Sequence, residues 1–181
     1  VQLANRERFD RLILAGPGQV TKQLQQLLPK RLGNRVVASL PLQATASPSE
    51  VLAKTQEVER QVERQQESNL VDELITTAAK NEGGVTGIER TVEAVQEGRL
   101  WQLIYVGGYE VEGRVCQECR ALTMHQRDTC PFCQGPLELA PDMVDQVAKR
   151  TFELGGRIEQ VKGEAAEKLR KAGGIGGLLR F

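Results

Sequence analysis

All four cysteines of the chain fall in one stretch: Cys116-Gln-Glu-Cys119, ten intervening residues, then Cys130-Pro-Phe-Cys133. Two CxxC pairs in succession supply four thiolates that can converge on one tetrahedral metal ion, each short loop presenting two ligands from a single turn. Gly135 follows the second pair, where such a turn needs room. The alternative is four unrelated thiols or a pair of disulfides. Disulfides require an oxidising compartment, and the opening residues do not read as a secretory signal, so a cytoplasmic setting is expected. A thioredoxin-like redox centre uses one CxxC opening a helix, rather than two pairs with Pro131 inside one. The expected ligand set is therefore Cys116, Cys119, Cys130 and Cys133 around a structural Zn2+, with iron the other metal that four thiolates accept. His125, the only histidine, lies between the pairs and reads as a bystander.

Lysine plus arginine and aspartate plus glutamate number 24 each, so net charge offers no general argument for nucleic-acid binding. No apolar run approaches the roughly 20 residues that span a bilayer. The composition is 40% hydrophobic but only 4% aromatic, which allows an ordinary core or two small ones.

Along the chain, residues 9–15 (FDRLILA) read as a short buried strand entering the turn Gly16-Pro17-Gly18. A helix is expected over 19–32, with Val20, Leu24, Leu27, Leu28 and Leu32 on one face, Pro29 bending its last turn and Gly33 stopping it. Residues 35–42 form a second strand. This piece is too small to stand alone and looks like the tail of a larger α/β domain; with Val1 in first position, the chain is expected to be part of a longer protein. The glycine turn at 16–18 lacks GxGxxG and GK[ST] context and is expected to be only a strand-to-helix turn. Ser47-Pro48-Ser49-Glu50 is a capping box with proline at the first helical position, starting a helix that extends to about Lys80. Its middle, EVERQVERQQES, is polar nearly all round, as in a solvated helix joining two bodies; a coiled-coil surface is the sharper alternative.

After the break at Asn81-Glu-Gly-Gly84, Thr86-x-x-Glu89 reads as a second capping box. Its helix places Ile88, Val92 and Val95 on one face and stops at Gly98. Residues 100–106 (LWQLIYV) form a strand central to a sheet. Beyond the cysteines, Pro141 opens a helix with Val144, Val147, Ala148, Thr151 and Phe152 on one face, then come a strand at 157–161 and a helix at 164–171. This alternation predicts an α/β sandwich interrupted by the cysteine segment. An insertion of about 30 residues buries too little apolar surface to fold alone, so a metal is expected to fold it.

The ending Gly173-Gly174-Ile175-Gly176-Gly177-Leu178-Leu179-Arg180-Phe181 closely resembles the C-terminal end of archaeal and eukaryotic class I peptide chain release factors. Val71-Asp72-Glu73-Leu74 and the run Gly84-Val-Thr-Gly-Ile-Glu-Arg-Thr-Val-Glu-Ala resemble the opening of that family's third domain. The CxxC…CxxC insertion is similar to the zinc-bearing minidomain of the archaeal members. The resemblance implies three parts: residues 1–46 from the end of the middle domain, a connecting helix at 47–70, and an α/β/α sandwich at 71–181 with a zinc-ribbon-like insertion at 107–139. It also implies a docking module for the ribosome and a translational GTPase in termination, and for a ribosome-recycling ATPase.

The family's hydrolytic GGQ loop and its codon-reading domain are absent from this stretch. Gly16-Pro17-Gly18-Gln19 resembles GGQ only superficially, and no catalytic role is carried onto Gln19. Pelota-like relatives lack GGQ, so a ribosome rescue or hibernation factor is the alternative. A kink-turn RNA-binding module is the third reading, weakened by acidic Glu82 in the 81–84 turn and by the zero net charge. The glycines at 173–177 are expected to serve close backbone packing or positive φ, Trp101 to be a core or half-exposed strand residue, and Arg180 the polar side of the last strand. Four thiolates would fill a zinc site, and no serine or cysteine has a base beside it, so this chain is not expected to be an enzyme.

Overall fold

The computed structural model describes residues 9–180; residues 1–8 of the expected first part and Phe181 of the glycine-rich ending lie outside the described residues. The chain divides into two compact units, Val1–Glu63 and Arg64–Phe181.

The first unit runs β1 (Leu12–Gly16), α1 (Gly18–Leu27), α2 (Lys30–Gly33) and β2 (Val36–Pro41), then enters α3 (Pro48–Lys80). β1 and β2 pair in parallel, Ala15 opposite Leu40, which is why a helical crossover separates them. The single helix expected over 19–32 is two. Pro29 has no N–H to continue the ladder and holds Leu28 extended (ψ 136°), so α1 stops at Leu27 and Pro29 caps the short α2. The apolar stripe is covered only at its end: Val20, Leu24 and Leu27 are 57%, 46% and 81% exposed, while Leu32, in α2, is buried. Thr21, whose hydroxyl donates to the Gly18 carbonyl at 3.1 Å, is the buried residue of α1. Two strands offer too little sheet to cover a helix.

α3 begins as the capping box requires, with Ser47 Oγ accepting from the Glu50 N–H at 3.3 Å. It ends where Asn81 (φ 56°) and Gly83 (φ 88°) take the left-handed conformation. The second unit continues with β3 (Gly84–Thr86), α4 (Ile88–Gln96) and β4 (Leu100–Val106). Three short strands follow, β5 (Gly113–Cys116), β6 (Leu122–Thr123) and β7 (Leu137–Ala140). Then come α5 (Met143–Glu153), β8 (Arg157–Val161), α6 (Gly163–Lys171) and β9 (Ile175–Leu179).

The main sheet has the order β3-β9-β4-β8, with β9 antiparallel to both neighbours and β8 parallel to β4. β4 is central, as its apolar sequence implied. Leu103 faces a core shared with Val92 and Val95 of α4 and Val147 of α5. Ile104, one residue on, faces the opposite core with Val71 and Leu74 of α3 and Leu169 of α6. This alternation puts helices on both faces, an α/β/α sandwich. Leu100 shares the Leu103 face despite the odd spacing, because the register shifts between Leu100 and Gln102.

Two local expectations fail. Thr86 is the last residue of β3, so it does not cap α4; Gly87 (φ 85°) takes that place with no side-chain bond, and the Thr86-x-x-Glu89 box does not form. Phe152 is 75% exposed while Thr151 is buried, and α5 starts after Asp142, whose carboxylate accepts from the Asp145 N–H at 3.0 Å. The ending behaves as its glycines suggested. Gly173 (φ 108°) and Gly174 (φ 77°) turn the chain, and Gly176 and Gly177 lie within β9. A Cβ on Gly176 would stand 2.5 Å from the Val85 carbonyl oxygen, and one on Gly177 2.7 Å from that of Gln102. Gly176→Ala is expected to lower unfolding stability by about 1–3 kcal/mol, as overpacking against immobile backbone does, measured by denaturant titration.

α3 is tied to α6 by Lys168, whose ammonium donates to both Asp72 carboxylate oxygens at 3.0 and 2.8 Å and to Ser68 Oγ at 3.0 Å. The Asp72 bonds raise the Lys168 pKa above 10.5 against the opposing effect of burial. A raised lysine pKa stabilises the fold below 10.5, and that contribution disappears as pH climbs through the folded value. Asp72→Asn is therefore expected to lower the melting temperature slightly at neutral pH, with the difference from the parent closing at strongly alkaline pH.

Candidate metal centre

The three strands β5, β6 and β7 form a separate sheet with β5 in the middle, Gly113 opposite Ala140 and Cys116 opposite Leu137. Cys116 is the last residue of β5, so the strand end delivers the first sulfur. The two CxxC loops fold alike. In the first, the Arg120 N–H donates to the Cys116 carbonyl (3.1 Å) and the Cys116 N–H to the Ala121 carbonyl (2.9 Å). In the second, Gln134 to Cys130 (3.0 Å) and Cys130 to Gly135 (2.8 Å) repeat the pattern. Arg120 (φ 60°) and Gln134 (φ 65°) are left-handed at the same place in each loop.

These two turns bring together all four sequence-expected ligands. Their sulfurs lie within 4.8 Å of one another, Cys116 Sγ 3.4 Å from Cys133 Sγ and Cys119 Sγ 3.6 Å from Cys130 Sγ. Four thiolates about 2.3 Å from a zinc-sized ion at tetrahedral corners would stand about 3.8 Å apart, so the donor set and its spacing fit such an ion. Cys116 and Cys130 are buried; Cys119 and Cys133 face solvent. His125 stays outside this group, its backbone N–H bonded to Thr123 Oγ1 at 3.1 Å.

Backbone donors point at the sulfurs, a feature that cysteine spacing alone did not reveal. The Cys119 N–H reaches Cys116 Sγ (3.5 Å), Phe132 reaches Cys130 Sγ (3.4 Å) and Gly135 reaches Cys133 Sγ (3.4 Å). The Cys119 N–H holds the Cys116 thiol down to about 6 against the effect of burial. At Cys133 the Gly135 N–H also favours the thiolate, but the sulfurs of Cys116 and Cys119 and burial outweigh it and push the value up to about 12. Several thiolates this close repel unless a cation sits among them, and a bound divalent cation reverses that repulsion. A four-thiolate set would also fill a tetrahedron and leave no position for substrate, as in metal sites that hold chain together.

The minidomain has little else to hold it, a core of Cys116, Ala121 and Cys130 backed by Leu137. Its inner edge is fastened to the sandwich: Leu122 and Ala140 belong to the core over α4 and α5. Gln96 Oε1 accepts from the Leu122 N–H at 3.2 Å, and the Met143 N–H donates to the Val111 carbonyl at 2.9 Å. Purified chain is expected to carry about one metal ion. Cys130→Ser should lose the ion and expose the amides of 114–137 to exchange while β8 and β9 stay protected. Metal-free protein with a fully protected minidomain would contradict this.

The description of the family whose model matches, over residues 1–60, is bacterial archaeo-eukaryotic release factor family 10. No curated protein sequence matches the chain. Among solved structures, archaeal Pelota in a model of the ribosome-bound complex with ABCE1 is 19% identical, with a TM-score of 0.59 over 99% of this chain and 46% of that one. Saccharomyces cerevisiae Dom34, described as a translation termination-like factor involved in RNA quality control and interacting with Hbs1, is 15% identical, with a TM-score of 0.57 over 96% of this chain and 46% of that one. The C-terminal domain of the Methanosarcina mazei peptide chain release factor is 17% identical, with a TM-score of 0.51 over 76% of this chain and 98% of that one. The chain spans about half the length of the Pelota and Dom34 chains it matches. The release-factor resemblance read from the sequence holds, by family match in the first third and by fold over nearly the whole length.

Proposed function

We propose that this chain, release-factor-like in its family match and in its fold, is the C-terminal portion of a translation protein. It acts as a docking module for the ribosome and a translational GTPase in the termination of protein synthesis. The observation that carries the reading is the likeness of nearly the entire chain to a Pelota described as ribosome-bound. In this reading residues 1–46 end a middle domain, 47–70 connect, and 71–181 form the docking sandwich with a zinc-binding insertion at 107–139. Cys116, Cys119, Cys130 and Cys133 hold Zn2+, which folds the insertion and takes no part in chemistry. The chain is not itself an enzyme; any peptidyl-tRNA hydrolysis belongs to a GGQ loop elsewhere in the longer protein. A recycling ATPase is a second partner, supported by the pairing of that Pelota with ABCE1. No helix among the described residues is long and apolar enough to cross a membrane, in keeping with a cytoplasmic, ribosome-associated protein.

A rescue or hibernation role without hydrolysis is the second reading, favoured by the likeness to Dom34 and its description in RNA quality control. Both readings place the chain on ribosomes. Co-sedimentation with ribosomes at low and high salt tests this, and binding that survives high salt is expected. Binding that vanishes with salt would mark loose attraction to phosphate, as the RNA-module reading requires. Absence of binding at either salt would overturn docking by this chain.

A further inference from the structure

We propose that the cleft between α4 and the four-cysteine minidomain docks a basic protein segment carrying one apolar anchor side chain. This deepens the docking reading by giving it a place on the chain, and rests on that reading only in expecting the partner on the ribosome. The cleft has a volume of about 670 Å³ and lies wholly within the second unit. Val92 of α4 and Leu122 and Met124 of the minidomain lie at its apolar base. Phe132 stands at its mouth, 67% exposed, on a loop held by the bond from its own N–H to Cys130 Sγ. An aromatic ring kept in solvent beside a methionine is the composition of a protein-contact surface.

The wall along α4 decides the charge of the occupant. Glu89 and Glu93 of α4 and Glu97 just past its end are exposed and recur every four residues, so their carboxylates fall along one side. Glu97 is bonded to Arg99; among the described residues no ion pair engages Glu89 or Glu93. Like charges at this spacing weaken a helix, and the fold leaves that cost in place. His125 and Arg127 form the opposite lip, so the cleft is acidic on one side and weakly basic on the other. Lysine or arginine side chains along α4, with one leucine, methionine or phenylalanine seated beside Phe132, match the carboxylate wall and the apolar base in the manner of an amphipathic helix in a groove. A nucleic-acid strand would bring its phosphates against the carboxylate row.

The test titrates the intact metal-loaded chain with a fluorescent helical peptide bearing lysines four residues apart and a leucine on the adjoining face. The controls are the same peptide with glutamates for lysines, and oligouridine RNA. The basic peptide is expected to bind, with amide shifts confined to α4 and residues 121–132, and oligouridine and the acidic peptide to bind more weakly. Paired Glu89→Lys and Glu93→Lys, both at exposed positions, should weaken binding about tenfold, as turning two surface attractions into repulsions does. Phe132→Ser should weaken it through the anchor with little change in salt dependence. Equal affinity in the charge-reversed chain, equal or tighter binding of acidic peptide or RNA, or binding of the basic peptide weaker than about 1 mM would overturn the proposal. Ribosome co-sedimentation separates the two claims. Peptide binding without ribosome binding keeps the cleft and removes the ribosomal role. Ribosome binding with an unresponsive cleft does the reverse.

Discussion

The close approach of β9 to its two neighbours is the constraint on which the second unit depends. β9 lies between β3 and β4, and Gly176 and Gly177 let carbonyls of those strands come where a side chain would otherwise stand. Hydrogen bonds from beyond the strands' own ladders tighten the same seam. Gly87 donates to the Ile175 carbonyl at 2.8 Å, Val106 to Gly174 at 3.0 Å and Arg180 to Arg99 at 2.8 Å. Both cores meet at this sheet, one under α4 and α5 and the other under α3 and α6. The last strand of the chain is thus the one that closes the centre of the fold.

The minidomain obeys a different economy. Its three-residue buried core is far smaller than either core of the sandwich. Order there comes from two turns with the same hydrogen bonds, from sulfurs converging within 4.8 Å, and from Leu122 and Ala140 leaning on the sandwich. The proposed metal therefore organises the outer part, while the inner edge is already fixed by apolar contact.

What was legible in the sequence followed from how local the signal was. The bounds of β4 could be read from a mostly apolar run, α3 from Ser47-Pro48 and a distant glycine pair, and the convergence of the four cysteines from spacing alone. β3 escaped because three residues beginning with glycine carry no period, and that unseen strand also took Thr86 from its expected cap. Pro29 bends a helix by its missing N–H, but it also holds Leu28 extended, and that second effect makes one helix two. Thr151 and Phe152 both counted onto the apolar face, and only Thr151 is buried there, because adjacent residues on a helix stand about 100° apart. The cleft could not be read at all, since its walls lie on separate elements and only the fold brings Glu93 and Phe132 to one opening.

The pairing of Gly113 with Ala140 has a consequence for how the chain is traversed. It joins the two ends of the insertion, which touches the sandwich again where Leu122 enters the core over α4. Measured along the backbone, β4 and α5 are far apart; measured through that pair, they are neighbours. Lengthening a loop costs only about 0.6 kcal/mol per doubling once its ends are held. The outer loops of the minidomain, beyond Leu122 and Ala140, are in this sense lengths that the sandwich does not register. Residues can be added or removed in those outer loops while the spacing that lets β8 find β4 stays the same.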